Sequence, residues 1–442
     1  MRSLGQSRLA LFAAAAFLFI EGSSHAQPNW IHRSPAVSPS ARMYHAMAYD
    51  AGRRRVVLFG GLMGSQVFND TWEWDGTTWV QRLPTVSPPS RSYHVMAYDA
   101  SRNRVVLFGG LNSSVAYNDT WEWDGMTWTR RTSTVMPPSG SGHAMAYDAF
   151  RKRTVLFGGG FNDTWEWDGT TWMKRAPTAR PPARYGNAMA YDAARKRVFI
   201  FGGALGGPIQ TRYNDTWEWD GTTWTQRTPA ERPPNLSAYY VMAYDTARRR
   251  GVLFPAGALN TTWEWDGTTW TERVPPTMPL PRNGHAMAHD ASRLATVIFG
   301  GMVSGTGYVN ETWTYGFSAG LIQSGAARPG STVSLQVNAP GEAGRTYQVG
   351  SSLGTGPIMI GGRPLGLGPD PLLAISVAGT MPWIFRGYRG AVDPGGSGTA
   401  AITIPNQRVL IGITIHSAFI TLNPIAPQGI QSVSNTASFQ IL

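Results

Sequence analysis

Arginine and histidine recur three residues apart along the chain, and this pair is the strongest candidate for ligand chemistry. An arginine guanidinium can hold a carboxylate or another anion through two parallel hydrogen bonds. The pattern therefore predicts a binding site for an anionic group. A second interpretation stays open, in which the same residues hold loops to strands within a repeated unit. The candidate binding residues are Arg42, His45, Arg91, His94, His143, Arg184, Asn187, Tyr240, Arg282 and His285.

Other kinds of chemistry have less support in the sequence. The chain has no cysteine, which excludes disulfides, thiolate metal sites and cysteine-based cofactors. We predict no metal site, because each histidine belongs to a different repeat and no acidic ligand accompanies it. No cofactor and no catalytic residue are predicted, since the recurring glutamates would be equivalent and acid–base catalysis needs carboxylates in different environments. Residues that break the repeat are the better enzyme candidates: Tyr239, Pro255, His289 and Glu311.

Six copies of one unit fill most of the 442 residues. The segment from Tyr44 to Trp79 reads YHAMAYDAGRRRVVLFGGLMGSQVFNDTWEWDGTTW, and its Trp-Glu-Trp motif or an equivalent recurs. Successive copies are 44 to 52 residues apart, a period near that of kelch repeats (~50) and above that of WD40 repeats (~40–45). The copies of the motif begin at Trp72, Trp121, Trp165, Trp217, Trp263 and Trp313.

The repeated motifs resemble those of kelch-repeat β-propeller proteins. They are Arg42-x-x-His45, Phe59-Gly60-Gly61, Asn69-Asp70-Thr71-Trp72 and Trp79, each with its repeats. The resemblance covers residues 28 to 317 and implies an all-β, six-bladed propeller with four strands in each blade. It also implies one face built from the segments before each inner strand and from the loops between second and third strands. These loops are 62–68, 111–117, 160–161, 204–213, 257–259 and 302–309, short in blades three and five.

The chain also indicates how the propeller closes. Five units end in Trp-x-x-Arg, as in Trp79 to Arg82, whereas the sixth stops at Tyr315-Gly316. The same pattern occurs near the N-terminus, at Trp30 to Arg33. We predict that this segment forms the outer strand of blade six, because propellers avoid leaving strand edges unpaired.

Both ends of the chain carry further predictions. Residues 1–26 are predicted to be a signal peptide that is cleaved near Ala26. The segment begins with positively charged residues, continues with a 12-residue apolar stretch at 9–20 and ends with the small residues Ser24 and Ala26. The mature protein would then be secreted, periplasmic or at the cell surface, without a transmembrane segment. The propeller would span 27–317. Short alternating strands between Gly/Pro turns predict a β-sandwich-like C-terminal domain, 318–442.

Three functions remain open at this stage. The uneven loops favour an exported binding module for a protein or an acidic glycan, and the net charge of +11 suits an anionic partner. The resemblance also implies a carbohydrate-active enzyme similar to the kelch-propeller mutarotases that act on sialic acid. The third alternative is a structural or adhesive surface protein. A nucleic-acid partner is not expected, because such a surface would need aromatic residues interleaved with exposed basic groups and because the chain is predicted to be exported. The sequence makes no prediction of oligomeric state.

Overall fold

The computed structural model describes residues 28–316, except 114, 207–210, 236–238 and 258–259, and beyond them the backbone of separate strands between 320 and 440. Every element among these described residues is a β-strand, which confirms the all-β prediction. The predicted signal peptide lies outside the described residues. The predicted boundary between the propeller and the C-terminal domain also lies outside them, because residues 317–319 are not described.

The first part of the described chain contains six antiparallel sheets of four strands each. The strands of the first two blades and the N-terminal strand are β1 (Asn29–Arg33), β2 (Ala46–Asp50), β3 (Arg55–Phe59), β4 (Leu62–Met63), β5 (Gln66–Val67), β6 (Thr71–Trp74), β7 (Trp79–Arg82), β8 (Val95–Asp99), β9 (Arg104–Phe108), β10 (Leu111–Asn112), β11 (Val115–Ala116), β12 (Thr120–Trp123) and β13 (Trp128–Arg131). Those of blades three and four are β14 (His143–Asp148), β15 (Arg153–Gly158), β16 (Thr164–Trp167), β17 (Trp172–Arg175), β18 (Ala188–Asp192), β19 (Arg197–Phe201), β20 (Ala204–Leu205), β21 (Thr211–Arg212), β22 (Thr216–Trp219) and β23 (Trp224–Arg227). Those of blades five and six are β24 (Tyr240–Asp245), β25 (Arg250–Pro255), β26 (Thr262–Trp265), β27 (Trp270–Arg273), β28 (Arg282–Asn283), β29 (Ala286–Asp290), β30 (Ala295–Phe299), β31 (Met302–Val303), β32 (Gly307–Tyr308) and β33 (Thr312–Gly316).

The six sheets form a closed ring. The inner strands are β2, β8, β14, β18, β24 and β29, and each contacts the next, with β29 contacting β2. The N-terminal strand β1 pairs with β33 in antiparallel register, so that Trp30 lies opposite Tyr315 and completes the sheet of blade six. This is the pairing that the N-terminal Trp-x-x-Arg pattern predicts. The join therefore ties the start of the described chain to the last repeat.

Each interface between blades buries one apolar cluster. In the interface of blades one and two, Ala46 and Ala48 of β2 pack with Met96 of β8 and Trp128 of β13. The small side chains of one inner strand thus leave room for the large ones of the next, as the Ala-Met-Ala-Tyr alternation indicates. The indole of each outer-strand tryptophan also donates a hydrogen bond to a threonine of the preceding blade. These pairs are Trp79–Thr312, Trp128–Thr71, Trp172–Thr120, Trp224–Thr164, Trp270–Thr216 and Trp30–Thr262.

The Gly-Gly pair after each second strand is required by close packing. Gly60 and Gly61 have φ values of 63° and 98°, a region that side chains rarely adopt. A Cβ atom on Gly60 would lie 2.6 Å from the Arg91 carbonyl oxygen, and one on Gly61 would lie 2.9 Å from the His45 Cβ atom. The pair therefore makes room for the entry segments of its own blade and of the next one.

The last part of the described chain contributes strands in two larger antiparallel sheets and a hairpin. The strands are β34 (Gly320–Ser324), β35 (Thr332–Asn338), β36 (Thr346–Ser352), β37 (Ile358–Ile360), β38 (Arg363–Leu365), β39 (Phe385–Arg386), β40 (Arg389–Ala391), β41 (Ser397–Thr403), β42 (Thr414–Leu422), β43 (Ile430–Val433) and β44 (Ala437–Gln440). One sheet has the order β34-β35-β41-β39, and the other has the order β40-β36-β42-β43 with β44 also paired to β42. The sandwich arrangement of this domain stays a prediction.

Candidate functional site

One face of the propeller carries small hairpins that rise above four of the blades. The hairpins are β4–β5, β10–β11, β20–β21 and β31–β32, in blades one, two, four and six. Each pairs with the segment that enters the inner strand of its own blade, as Met43 pairs with Leu62 and Ser92 with Leu111. We call this surface the loop-rich face. Blades three and five have no such hairpin among their described residues, so the rim is uneven, as the loop lengths predict.

The four candidate arginines lie beneath this face as internal clamps. Arg91 is 0% exposed, and its Nη atoms donate to the two carboxylate oxygens of Asp119 at 2.6 and 2.9 Å. It also donates to the carbonyl oxygens of Gly109 and Pro89, and its guanidinium lies 4.2 Å from the ring centre of Tyr117. The other clamp pairs are Arg42–Asp70, Arg184–Asp215 and Arg282–Glu311.

The clamp geometry gives these arginines a structural role. Burial alone would raise the pKa of Asp119, but the hydrogen bonds and charge of Arg91 outweigh it and lower the pKa. The Asp119 carboxylate is therefore ionised, and it accepts the guanidinium hydrogen bonds of Arg91 that an external anion would need. The acid lies 28 residues after Arg91, between the second strand and the third, so each clamp joins the entry segment to the base of its hairpin. Ligand binding by the whole predicted set stays a prediction.

The other six candidates form one ring of equivalent positions, one in each blade, and all are buried. Five of them pack edge-on against a phenylalanine of the preceding blade, as His94 does on Phe59 with ring centres 5.5 Å apart. In blade four, Asn187 takes this position and approaches Gly158. The ring consists of His45, His94, His143, Asn187, Tyr240 and His285.

The histidines of this ring are neutral packing groups. Burial lowers the pKa of His94 and of His285 to about 3 and that of His143 to about 4, and it lowers the pKa of His45 as well. Both ring nitrogens of His94 are buried without a hydrogen-bond partner, and the same is true of His45 and His285. These side chains hold adjacent blades together below the surface.

A cluster of tyrosines that no sequence pattern brings together lies at the centre of the loop-rich face. Tyr44 and Tyr93 stack with ring centres 3.7 Å apart at an interplanar angle of 21°. Tyr239 lies 5.9 Å from Tyr44 and 5.8 Å from Tyr185 between ring centres. All four rings are half-buried. We call Tyr44, Tyr93, Tyr185 and Tyr239 the tyrosine cluster.

Backbone hydrogen bonds around the ring hold the tyrosine cluster in place. The amide of Tyr44 donates to the Gly284 carbonyl at 2.7 Å, and the amide of Tyr93 donates to the Tyr44 carbonyl at 2.9 Å. The bonds continue from Gly142 to Tyr93 and from Gly186 to Gly142. The backbone at these positions is left-handed, with φ of 55° at Tyr44 and 57° at Tyr93. A non-glycine residue in the left-handed backbone conformation costs free energy on the order of 1–3 kcal/mol. Such residues cluster at functional sites.

The sequence held a weak signal for this cluster. Tyr44 and Tyr93 stand where three other repeats have Gly142, Gly186 and Gly284. Tyr239 is one of the residues that break the repeat. The pKa of Tyr93 is raised mainly by burial and further by the neighbouring tyrosines. The pKa of Tyr239 is raised to about 12, mainly by burial and further by Tyr44 and Tyr185. Tyr93 and Tyr239 are therefore neutral phenols at physiological pH.

The remaining residues that break the repeat have structural contacts. Glu311 replaces the clamp aspartate of blade six and accepts hydrogen bonds from Arg282 and from the Trp313 indole. His289 lies within β29, where its Nδ1 atom is 3.2 Å from the Thr296 hydroxyl oxygen. Among the residues that the structure describes, no group of three or more His, Asp or Glu side chains is placed to hold a metal ion.

The opposite face carries arginines of the first hairpin of each blade, and one arginine in each blade pairs with a nearby aspartate. Arg53 pairs with Asp50 and with Glu73, and Glu73 also pairs with Arg82 of the outer strand. The recurring glutamates are thus scaffold groups of the repeat, as their equivalence in the sequence predicts. In the next blade, the Trp123 indole donates to the same Glu73. Glu73, Glu122 and Glu264 each link two arginines of their own blade to an aromatic side chain of the neighbouring blade. Within the described residues, no helix has the length and hydropathy to cross a membrane.

Comparison with known families supports the propeller assignment. Residues 26–172 match the family model described as the KLHDC2/KLHL20/DRC7 Kelch-repeats domain. This match and the repeated four-stranded antiparallel sheets together fit a kelch-repeat β-propeller. Kelch repeats commonly mediate binding to other proteins, and a binding module is consistent with this fold. No curated protein matches the chain.

Proposed function

We propose that the protein is an exported binding module that holds a segment of another protein on its loop-rich face, with the tyrosine cluster as the main contact. The observation that supports it is the packing of four half-buried tyrosine rings at the centre of that face. Tyrosine gives a large rigid contact area at low conformational-entropy cost, which is why it is enriched at binding surfaces. The uneven rim would add specificity, because hairpins rise above only four of the six blades among the described residues.

Protein is the favoured ligand class over an acidic glycan. The arginines that would hold an acidic sugar donate their hydrogen bonds to Asp70, Asp119, Asp215 and Glu311. The centre of the face is neutral and aromatic, which suits apolar and aromatic side chains of a peptide. An acidic glycan is kept as an outcome of the test, since aromatic rings also stack on sugars and the chain has a net charge of +11.

Export belongs to the same proposal. A basic start, an apolar segment at 9–20 and small residues before Gln27 have the form of a secretory leader. The absence of cysteine means that stability outside the cytoplasm would come from the inter-blade packing. The location would be secreted, periplasmic or at the cell surface, and N-terminal sequencing of the protein recovered outside the cytoplasm tests it.

Two of the four rings of the tyrosine cluster can be replaced by a residue that suits the local backbone. Tyr44→Gly and Tyr93→Gly place at these left-handed positions the residue that the equivalent repeat positions already contain. A displayed random-peptide library is selected on the wild-type protein, and the selected peptides are measured on the double variant. We expect at least about a tenfold loss of affinity, since aromatic anchors typically contribute 2 kcal/mol or more.

Controls and a glycan array complete this test. Phe150→Ser changes an exposed aromatic residue of a first-hairpin turn and should leave peptide affinity unchanged. Thermal unfolding of the Tyr44→Gly and Tyr93→Gly variants verifies that the fold persists. Peptides that bind the double variant as tightly as the wild type would contradict the proposal. Binding restricted to acidic glycans, weakened by salt, would replace the protein ligand with a glycan.

A further inference from the structure

Blade three lacks one member of the arginine clamp and retains the rest. Gly140 occupies the position of the clamp arginine, two residues before Gly142, whereas the clamp carboxylate is still present as Asp163. In blade five, by contrast, both members are changed, to Ser237 and Thr261. Blade three is thus the repeat in which a carboxylate is kept without the arginine that elsewhere neutralises it.

A cavity lies where the missing guanidinium would be. Its volume is about 10 Å³, and it is partly open to solvent. Its lining includes Pro138, Gly158, Phe161 and Asp163. These residues correspond to the four groups that surround the guanidinium of the intact clamp in blade two: the Pro89 carbonyl, the Gly109 carbonyl, the Tyr117 ring and the Asp119 carboxylate. We call this cavity the blade-three pocket.

A buried donor in the pocket lacks its usual partner. The Trp165 side chain is 93% buried, and its Nε1 atom has no hydrogen-bond partner. In blade two, the equivalent Trp121 indole donates to Asp119 at 2.8 Å, and Arg91 holds that carboxylate in position. In blade three, Asp163 instead contacts the ammonium group of the exposed Lys174 at 2.8 Å. Without a guanidinium in the pocket, Asp163 and Trp165 no longer form the hydrogen bond seen in the intact clamps.

The pocket is open to a partner because its rim is low. Blade three has no hairpin between its second and third strands, and Phe161 is 41% exposed beside the pocket. The Phe161 ring offers a flat surface for a guanidinium to stack on, as Tyr117 and Tyr213 do for the clamp arginines. His143 contributes an uncharged imidazole to the lining, so it does not repel a cation.

We infer that the blade-three pocket is a binding site for a guanidinium group, namely an arginine side chain supplied by a protein partner. The partner's guanidinium would donate to the Asp163 carboxylate and the Gly158 carbonyl and stack on Phe161, completing the clamp that blade three lacks. Asp163 would then return to the Trp165 indole and release Lys174. This inference rests on the proposed function, since it identifies one side chain of the bound protein.

The test uses the full mature chain and three small probes. Nα-acetyl-arginine methylamide is titrated by isothermal calorimetry, beside the neutral citrulline analogue and the lysine analogue. We expect arginine to bind about tenfold or more tightly than citrulline, because only the guanidinium makes a charge-assisted bidentate pair. Asp163→Asn should abolish this preference, and Lys174→Gln should increase arginine affinity by removing the competing cation.

Two further variants link binding to the geometry of the clamp. Gly140→Arg supplies the guanidinium from within the chain; the backbone there is not left-handed, and the His143 ring, 3.3 Å from the new Cβ atom, must shift slightly to admit it. This variant should lose arginine binding and unfold at a higher temperature. Arg91→Gly in blade two should create a second arginine site. Equal binding of arginine and citrulline, or arginine binding that persists in Gly140→Arg, would overturn the inference.

The outcomes also separate this inference from the proposed function. Peptide binding that depends on Tyr44 and Tyr93, with no arginine binding at the pocket, would disprove the pocket and leave the proposed function standing. Arginine binding at the pocket without any peptide that depends on the tyrosine cluster would disprove the proposed function and leave the pocket as a guanidinium site.

Discussion

Buried polar side chains carry much of the specific structure of this propeller. Arg91 donates four hydrogen bonds, two to Asp119 and two to backbone carbonyls, and none of its surface is exposed. Breaking such a pair by removing one partner leaves an uncompensated buried charge, which typically costs about 3–5 kcal/mol. Blade three avoids this penalty in part through Lys174, which reaches Asp163 from the outer strand. The same residue types therefore serve as a clamp in one blade and as an incomplete clamp in another.

The buried histidines make stability depend on pH. In the folded protein the pKa of His94 lies at about 3, because burial disfavours the imidazolium, whereas the unfolded value is about 6.5. Between these values the unfolded chain binds a proton that the folded chain does not. The free energy of unfolding therefore falls as pH decreases from about 6.5 towards 3.

His94→Asn tests this effect, because blade four already has Asn187 at the equivalent position. Between about pH 7.5 and pH 4.5, the variant should lose about 2–3 kcal/mol less stability than the wild type. Urea unfolding at both pH values measures the difference, and the exposed Arg232→Ala variant serves as a control with wild-type behaviour. An equal loss in His94→Asn and the wild type would show that His94 is already protonated in the fold.

At the scale of elements, the blades are joined by the same contact repeated around the ring. Trp128 of β13 donates its indole hydrogen to Thr71 of β6 at 2.9 Å and packs against Phe59 of β3. One tryptophan thus ties the outer strand of its own blade to two strands of the blade before it. Because β1 supplies the same contact through Trp30, the interface of blades five and six is equivalent to the others.

Thr71→Val removes the acceptor of this bond while keeping the side-chain shape. The variant should lower the free energy of unfolding by about 1–2 kcal/mol, since the Trp128 indole would be left as a buried donor without a partner. Thr120→Val, at the next interface, should have a similar effect because it removes the acceptor for Trp172. Thr77→Val, on an exposed turn, is the control. Chemical denaturation measures all three, and an unchanged stability of Thr71→Val would contradict the role of the bond.

At the scale of the whole molecule, ring closure depends on five residues near the N-terminus. Strand β1 covers the edge of β33, and Trp30 is 99% buried against Phe254 and Tyr315. Without this strand, blade six would expose an unpaired edge and one face of the last interface. Exposed edges of this kind favour association between chains.

Deletion of residues 28–34 from the mature chain should therefore lower stability and cause self-association. Size-exclusion chromatography with light scattering measures the association, and thermal unfolding measures the stability. A synthetic peptide with the sequence of residues 28–34 should restore the wild-type unfolding temperature in part by pairing with β33. Trp30→Phe, which keeps the strand, should remain at the wild-type oligomeric state. A deleted chain with unchanged stability and oligomeric state would contradict closure by β1.

The sequence by itself determined the repeating architecture of this protein. A unit that recurs six times, with a small-residue face next to a large-residue face, can bury both faces only by stacking on its neighbours. The terminal Trp-x-x-Arg pattern likewise determined how the ring closes, because one unit lacked the strand that the N-terminus has. These conclusions follow from local sequence patterns that recur in each repeat.

Only the tertiary structure decided what the polar and aromatic residues do. Arg91 and Asp119 are 28 residues apart, so neither residue alone reveals that they form a closed pair rather than an open anion site. The tyrosine cluster brings together side chains from four blades, and the blade-three pocket is the space left by one missing side chain. Contacts between distant repeats and an unfilled volume arise when the ring closes, and no local sequence period encodes them.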